Sequence, residues 1–269
     1  MNNSRRGLIV GNWKLHGTLA GNHALLLQLK ANFKDLNAVD FAVCLPYVYL
    51  FQAQQLLTGS NILWGSQNVS QYDEGAYTSC ISAAMIAEFG CRYVILAHSE
   101  RRMLRLESHE VTAQRLLRAL EGGLTPIYCV GEAQAERDAG LAEDTVKKQV
   151  LNMLHSLDDH AFALAKQCNM VVAYEPVWAI GTGQHASPQQ AQSMHAYIRQ
   201  LIATRAPDFA ARIRIIYGGS LSADNAHAML QMPDIDGALL GRSALVAEAF
   251  TEICRIANSL SLEVHPHEV

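Results

Sequence analysis

Residues 170–183 read Met-Val-Val-Ala-Tyr-Glu-Pro-Val-Trp-Ala-Ile-Gly-Thr-Gly. The segment begins as a continuous apolar run, the pattern of a strand buried on both faces. It ends on a carboxylate, Glu175, and passes at Pro176 into a loop that closes with two glycines. An amphipathic stretch over 187–203 follows. It opens with Ser187-Pro188, a helix N-terminal signature. Strand, polar loop and helix thus succeed one another as one unit.

The same unit recurs in both directions along the chain. Short apolar runs occupy 8–11, 40–45, 62–67, 93–97, 125–130, 170–175, 214–217 and 236–240. Amphipathic segments lie between them, among them 110–120 and 21–33, the latter with Leu25, Leu26 and Leu29 on one side. Eight strand–helix units predict a parallel sheet closed into a single-domain (β/α)8 barrel over 1–269. An open doubly wound sheet is the alternative. It would carry G-x-G-x-x-G after its first strand, where this chain has Gly11-Asn12-Trp13-Lys14. Beyond about residue 259 no helical pattern continues, and a loose extension is expected. His265 and His267 in it are expected to be no more than a bare tail.

Half of the residues are hydrophobic and the formal net charge is −4. There is no basic excess to neutralise nucleic-acid phosphates. An anionic substrate must therefore be held by local groups. No apolar run approaches a membrane span, and none follows the N-terminal arginines as a signal peptide would require. The six cysteines contain no C-x-x-C pair, so reduced, mostly buried thiols are expected, without metal or disulfide roles. These features together point to the cytosol.

In a barrel, chemistry sits at the C-terminal ends of the strands. The first strand ends at Asn12 and Lys14, two apart and able to point the same way. The fourth ends at His98 and Glu100, the sixth at Glu175, the seventh at Tyr217-Gly-Gly-Ser220, and the eighth at Gly241. Taken singly, each has a plain structural reading: a solvated lysine, a satisfied histidine, a carboxylate marking a strand exit, a glycine turn. Their convergence on five strand ends points instead to one functional mouth.

Gly11-Asn-Trp-Lys, His98-Ser-Glu-Arg-Arg, Cys129-Val-Gly-Glu, Tyr174-Glu-Pro-Val-Trp-Ala-Ile-Gly-Thr-Gly and Tyr217-Gly-Gly-Ser resemble the signature blocks of the triosephosphate isomerase family, in its order and at its spacing. They span residues 11 to 241, and the fold implied is the TIM barrel. The resemblance implies proton transfer between the two central carbons of a small phosphorylated sugar, dihydroxyacetone phosphate or D-glyceraldehyde 3-phosphate, through an enediolate. Glu175 is then the base, its basicity raised when Ile180 and Leu239 exclude water. His98 donates to the carbonyl oxygens from just before a helix start, whose positive end disfavours imidazolium. Lys14 balances negative charge. Asn12 adds a polar contact, Glu100 supports the site beside Lys14, and Cys129 belongs to a supporting block.

By the same resemblance, backbone N–H groups of Gly181, Ser220, Gly241 and Arg242 hold the phosphate. Pro176-Val-Trp and Gly181-Thr-Gly form the hinges of a lid. No metal or organic cofactor is implied. A third loop, from Gln67 to Thr78, implies a homodimer. Three positions depart from the family pattern. Ala97 stands where Gly is frequent. Cys80 stands where Glu is usual, so Arg101 is expected to pair elsewhere, with Glu107, or to face water. Arg242 replaces the second Gly of the phosphate-binding pair. Two alternatives remain at this point: an isomerase of a four-carbon (erythrulose) phosphate, and a catalytically silent binding barrel.

Overall fold

A computed structural model of the chain describes residues 5–104, 106–181 and 185–264. His265 and His267 lie outside these residues, as do Thr182 and Gly183 of the expected lid. Eight parallel strands close into a barrel in sequence order, β1 pairing both β2 and β8. They are β1 Leu8–Asn12, β2 Asp40–Leu45, β3 Ile62–Ser66, β4 Tyr93–Leu96, β5 Thr125–Val130, β6 Val171–Tyr174, β7 Arg214–Tyr217 and β8 Gly237–Leu240. The helices are α1 Leu19–Asn32, α2 Leu50–Leu57, α3 Ala83–Glu88, α4 Ser99–Leu104, α5 His109–Glu121, α6 Gln134–Asp138, α7 Ala142–His155, α8 Asp159–Gln167, α9 Pro188–Ala203, α10 Pro207–Arg212, α11 Ala223–Leu230 and α12 Ala247–Val264. No helix among the described residues is long and apolar enough to cross a membrane.

Strand alternation divides the apolar side chains into two layers. Leu8, Val10, Ala42, Cys44, Ile95, Ile127, Ala173 and Leu239 fill the barrel interior. Their neighbours Ile9, Phe41, Val43, Val94, Tyr128, Val172 and Leu240 pack outward against the helices. Both faces of each strand are therefore apolar, which is why the sequence shows runs and not alternation. At the N-terminal end Arg214 pairs with Asp40 at 2.8 Å, and Arg5 and Arg199 both pair with Asp236. Five cysteines are buried, and Cys80 is exposed.

Helix starts follow the capping residues. Ser187 accepts from the Gln190 N–H while Gln190 reaches back to the Ser187 N–H, a capping box with Pro188 in the first turn. Thr18, Ser82, Ser108 and Asp158 cap α1, α3, α5 and α8 in the same sense. The end of α12 corrects the expectation of a loose extension from about residue 259, because the helix continues to Val264. Asn258 accepts the Ala38 N–H at 2.8 Å and Ser261 donates to the Ala38 carbonyl at 3.1 Å. These tertiary bonds hold a helix end whose own pattern is weak.

Candidate active site

The C-terminal ends of β1, β4, β7 and β8 surround a cavity of about 510 Å³. Asn12, Lys14, His98, Ser220 and Gly241 line it from the strand ends, and Gly181 and Arg242 line it as well. Asn12 is buried where β1 ends, and its side-chain oxygen accepts the Lys14 N–H at 3.0 Å. Lys14 Nζ lies 2.6 Å from Glu100 Oε1, which places Glu100 beside the lysine.

Ala97 has φ +55° and turns the chain sharply from β4 into α4. That left-handed backbone is the conformation glycine adopts without cost, so a Gly preference here has a physical reason. The turn seats His98 with its Nδ1 accepting the Glu100 N–H at 3.3 Å. Since Nδ1 is an acceptor, the ring proton is on Nε2. Nε2 lies 2.9 Å from Glu175 Oε1.

Glu175 departs from the expected position. The carboxylate is fully buried and turned onto the start of α4, outside the lining of the cavity. Its Oε2 accepts the Ser99 N–H at 2.8 Å, and its Oε1 accepts the Ser99 hydroxyl at 3.0 Å. The Arg102 guanidinium stands 3.7 Å from Oε2. Burial pushes the carboxyl pKa up, but His98, Arg102 and the Ser99 N–H outweigh it and hold it down, at about 2. In this arrangement Glu175 is a weak base. Ser99 and Arg102 are partners that sequence reading missed, although both lie within the His98-Ser-Glu-Arg-Arg block. Cys129 is likewise off the cavity. It is buried in the barrel interior, where burial and the nearby Glu175 charge push its thiol pKa well up.

The loop after β6 is anchored from below. Glu132, fully buried after β5, accepts with Oε1 from the Trp178 indole at 2.9 Å, the Tyr174 hydroxyl at 3.1 Å and Arg137 at 3.2 Å. Arg137 also lies 4.6 Å over the Trp178 ring. Gly131 permits this close approach, since a Cβ there would sit 1.7 Å from the Glu175 carbonyl oxygen. Ser220 donates to the Ala179 carbonyl at 2.8 Å and joins the seventh loop to the sixth. Gly181, at φ +75°, ends the described part of that loop. After Gly241 a 3-10 turn, Arg242–Leu245, begins with its first N–H groups free of intrahelical partners.

The other two departures concern Arg101 and Arg242. Arg101 donates to Glu107 at 2.7 Å, with Arg115 on the same carboxylate. Arg242 is absent from the left-handed residues, so its backbone accepts a side chain without strain.

Compared with known proteins, the chain is similar to triosephosphate isomerases along nearly its whole length. It is 48% identical over 253 residues to that of Herminiimonas arsenicoxydans, covering 94% of this chain and 100% of the relative. The same identity over 253 residues relates it to that of Thiobacillus denitrificans, covering 94% and 99%. That of Nitrosomonas eutropha is 46% identical over 256 residues, covering 95% and 100%. The family model for triosephosphate isomerase matches residues 7–257, from the strand before Asn12 to the helix behind Arg242. By this match and by the strand-end groups it spans, the chain belongs to the triosephosphate isomerase family.

Proposed function

We propose that this chain interconverts dihydroxyacetone phosphate and D-glyceraldehyde 3-phosphate, with Glu175 as base, His98 as electrophile and Lys14 as counter-charge. The observation that carries this reading is the His98 ring. Its Nδ1 accepts the Glu100 N–H, so the Nε2–H faces the acceptor beside it. A fixed donor of that kind suits a carbonyl oxygen on which negative charge develops.

Glu175 turns from Ser99 into the cavity, losing two donors while remaining screened from water, and its basicity rises. It takes the C1 proton of the ketose; the electron pair forms the C1–C2 double bond, and charge moves to the C2 oxygen. His98 Nε2–H and the Lys14 ammonium stabilise that oxyanion. Protons shift between the two oxygens along the His98 side, Glu175 returns its proton to C2, and the aldose forms. Asn12 holds Lys14, and Glu100 steadies its ammonium. Backbone N–H groups of Gly181, Ser220, Gly241 and Arg242 take the phosphate, and Ile180 and Leu239 shield the base. This chemistry calls on no metal or cofactor.

The active unit in this reading is a homodimer through the third loop, Gln67 to Thr78. Support comes from large apolar side chains left exposed after consecutive strands. Leu15 follows β1, Val48 follows β2, Tyr77 follows β3 and Leu104 follows β4. Six free thiols suit a reducing, cytoplasmic setting. A coupled assay offering dihydroxyacetone phosphate beside erythrulose phosphate tests the substrate assignment. Preference for the three-carbon substrate is expected. Preference for the four-carbon one would overturn the assignment, and turnover of neither would return the chain to a binding role.

A further inference from the structure

The cavity that takes the phosphate has an unusual balance of charge. Among the described residues its lining contains no carboxylate, and its two permanent cations are Lys14 and Arg242. Lys14 is paired with Glu100 at 2.6 Å and, in the proposed reaction, faces the oxyanion. Arg242 has no ion-pair or hydrogen-bond partner among the described residues, whereas Arg5, Arg101, Arg199 and Arg214 each hold a carboxylate. The chain as a whole is negative, at −4, so its overall field repels a dianion. Backbone N–H groups offer partial charges only. One full, uncompensated positive charge therefore remains in the lining, and Arg242 carries it.

Its place in the fold suits that charge. A Cβ at Gly241 would lie 3.8 Å from Lys14 Nζ, so the chain enters residue 242 directly beside the reaction centre. Because the Arg242 backbone avoids the left-handed region, the side chain costs the loop nothing. A guanidinium also matches phosphate geometry, with parallel N–H donors for two oxygens.

We propose that the Arg242 guanidinium is a specificity element for the phosphate group, supplying the side-chain charge that draws a phosphate dianion into the cavity and retains it. This rests on the proposed reaction for the identity of the substrate, but not for the binding of the anion. The plain alternative is a solvated surface arginine that the anion does not feel.

The test uses the full chain with Arg242→Gln and Arg242→Lys. KM and kcat for the triose phosphates are measured across ionic strength. Inorganic phosphate binding is measured separately by calorimetry. Arg242→Gln is expected to raise KM about two- to fivefold at low salt, the effect of a partly solvated charge pair, with kcat nearly held. It should weaken phosphate binding by a similar factor and flatten the salt dependence of kcat/KM, while Arg242→Lys restores the salt dependence but only part of the affinity. A Gln variant with the parent's KM, phosphate affinity and salt slope overturns the proposal, as does a fall in kcat alone. If the parent chain turns over no triose phosphate, the reaction assignment fails. The phosphate titration still decides this inference: weaker binding by the Gln variant upholds it, and equal binding sinks it.

Discussion

Replacing Glu175 by glutamine separates the two jobs of that carboxylate. In the structure it faces three donors: the Ser99 N–H, the Ser99 hydroxyl and His98 Nε2. Glutamine keeps one acceptor oxygen and turns the other into an NH2 donor. The Ser99 hydroxyl can rotate to accept. The backbone N–H cannot, and His98 cannot without surrendering the Glu100 N–H. Whichever oxygen becomes NH2, one fixed donor then meets a donor, at a cost of about 1–3 kcal/mol. Relief from burying a charge offsets part of this, and Arg102 keeps the Cys129 and Gly131 carbonyls at 3.0 and 3.2 Å. Glu175→Gln should therefore fold, with stability lower by about 1–2 kcal/mol in urea denaturation. Turnover in a coupled assay should fall on the order of 10³-fold or more, because the base is gone, while KM stays close to the parent's. A kcat within tenfold of the parent would refute the base assignment. Unchanged or higher stability would refute the account of how the resting carboxylate is held.

Three further outcomes are expected. Glu132→Ala removes the buried acceptor shared by the Trp178 indole, the Tyr174 hydroxyl and Arg137, so it should cost about 3 kcal/mol or more and lower kcat; a loss under 1 kcal/mol would refute the anchoring role of this carboxylate. Burial holds the His195 imidazole down, to about 4 from its ordinary 6.5, so the unfolded chain takes up a proton first as pH falls. Stability should thus decline through the window between those values, by about 3 kcal/mol in all from this group. The slope should flatten in His195→Gln, and an unchanged slope would assign the acid sensitivity elsewhere. Sedimentation at micromolar concentration should give twice the monomer mass, whereas a fully active monomer would exclude the third-loop dimer.

Much of the site was legible because barrel geometry converts sequence order into position. Asn12, His98 and Glu175 close apolar runs, and a closed parallel sheet brings every run's end to one mouth. What could not be read was the direction each group faces. Glu175 bonds Ser99 across 76 residues, and nothing local to either residue announces the pair. Glu132 shows in sequence only as the last letter of a short block. Its three donors come from Tyr174, Trp178 and Arg137 on separate segments. The end of α12 was hidden for the same reason, since Asn258 and Ser261 answer to Ala38 on the far side of the chain.

Strain is distributed to match this division. Two non-glycine residues beside the cavity adopt left-handed backbones, Lys14 at φ +51° and Ala97 at φ +55°. Each conformation costs about 1–2 kcal/mol for an L-residue with a side chain. Such a cost persists only where neighbours over-determine the shape, and both positions have such neighbours. The Asn12 side chain fixes the Lys14 N–H at 3.0 Å, while Glu100 draws the ammonium to 2.6 Å. The Arg102 guanidinium gathers the Ala97, Cys129 and Gly131 carbonyls, binding the β4 turn to the end of β5. The same guanidinium stands beside the resting Glu175. Arg102 therefore couples the strained turn that seats His98 to the carboxylate resting on Ser99. In the proposed reaction Glu175 turns into the cavity, and Arg102 would still hold the turn by three carbonyls, so the imidazole would keep its aim.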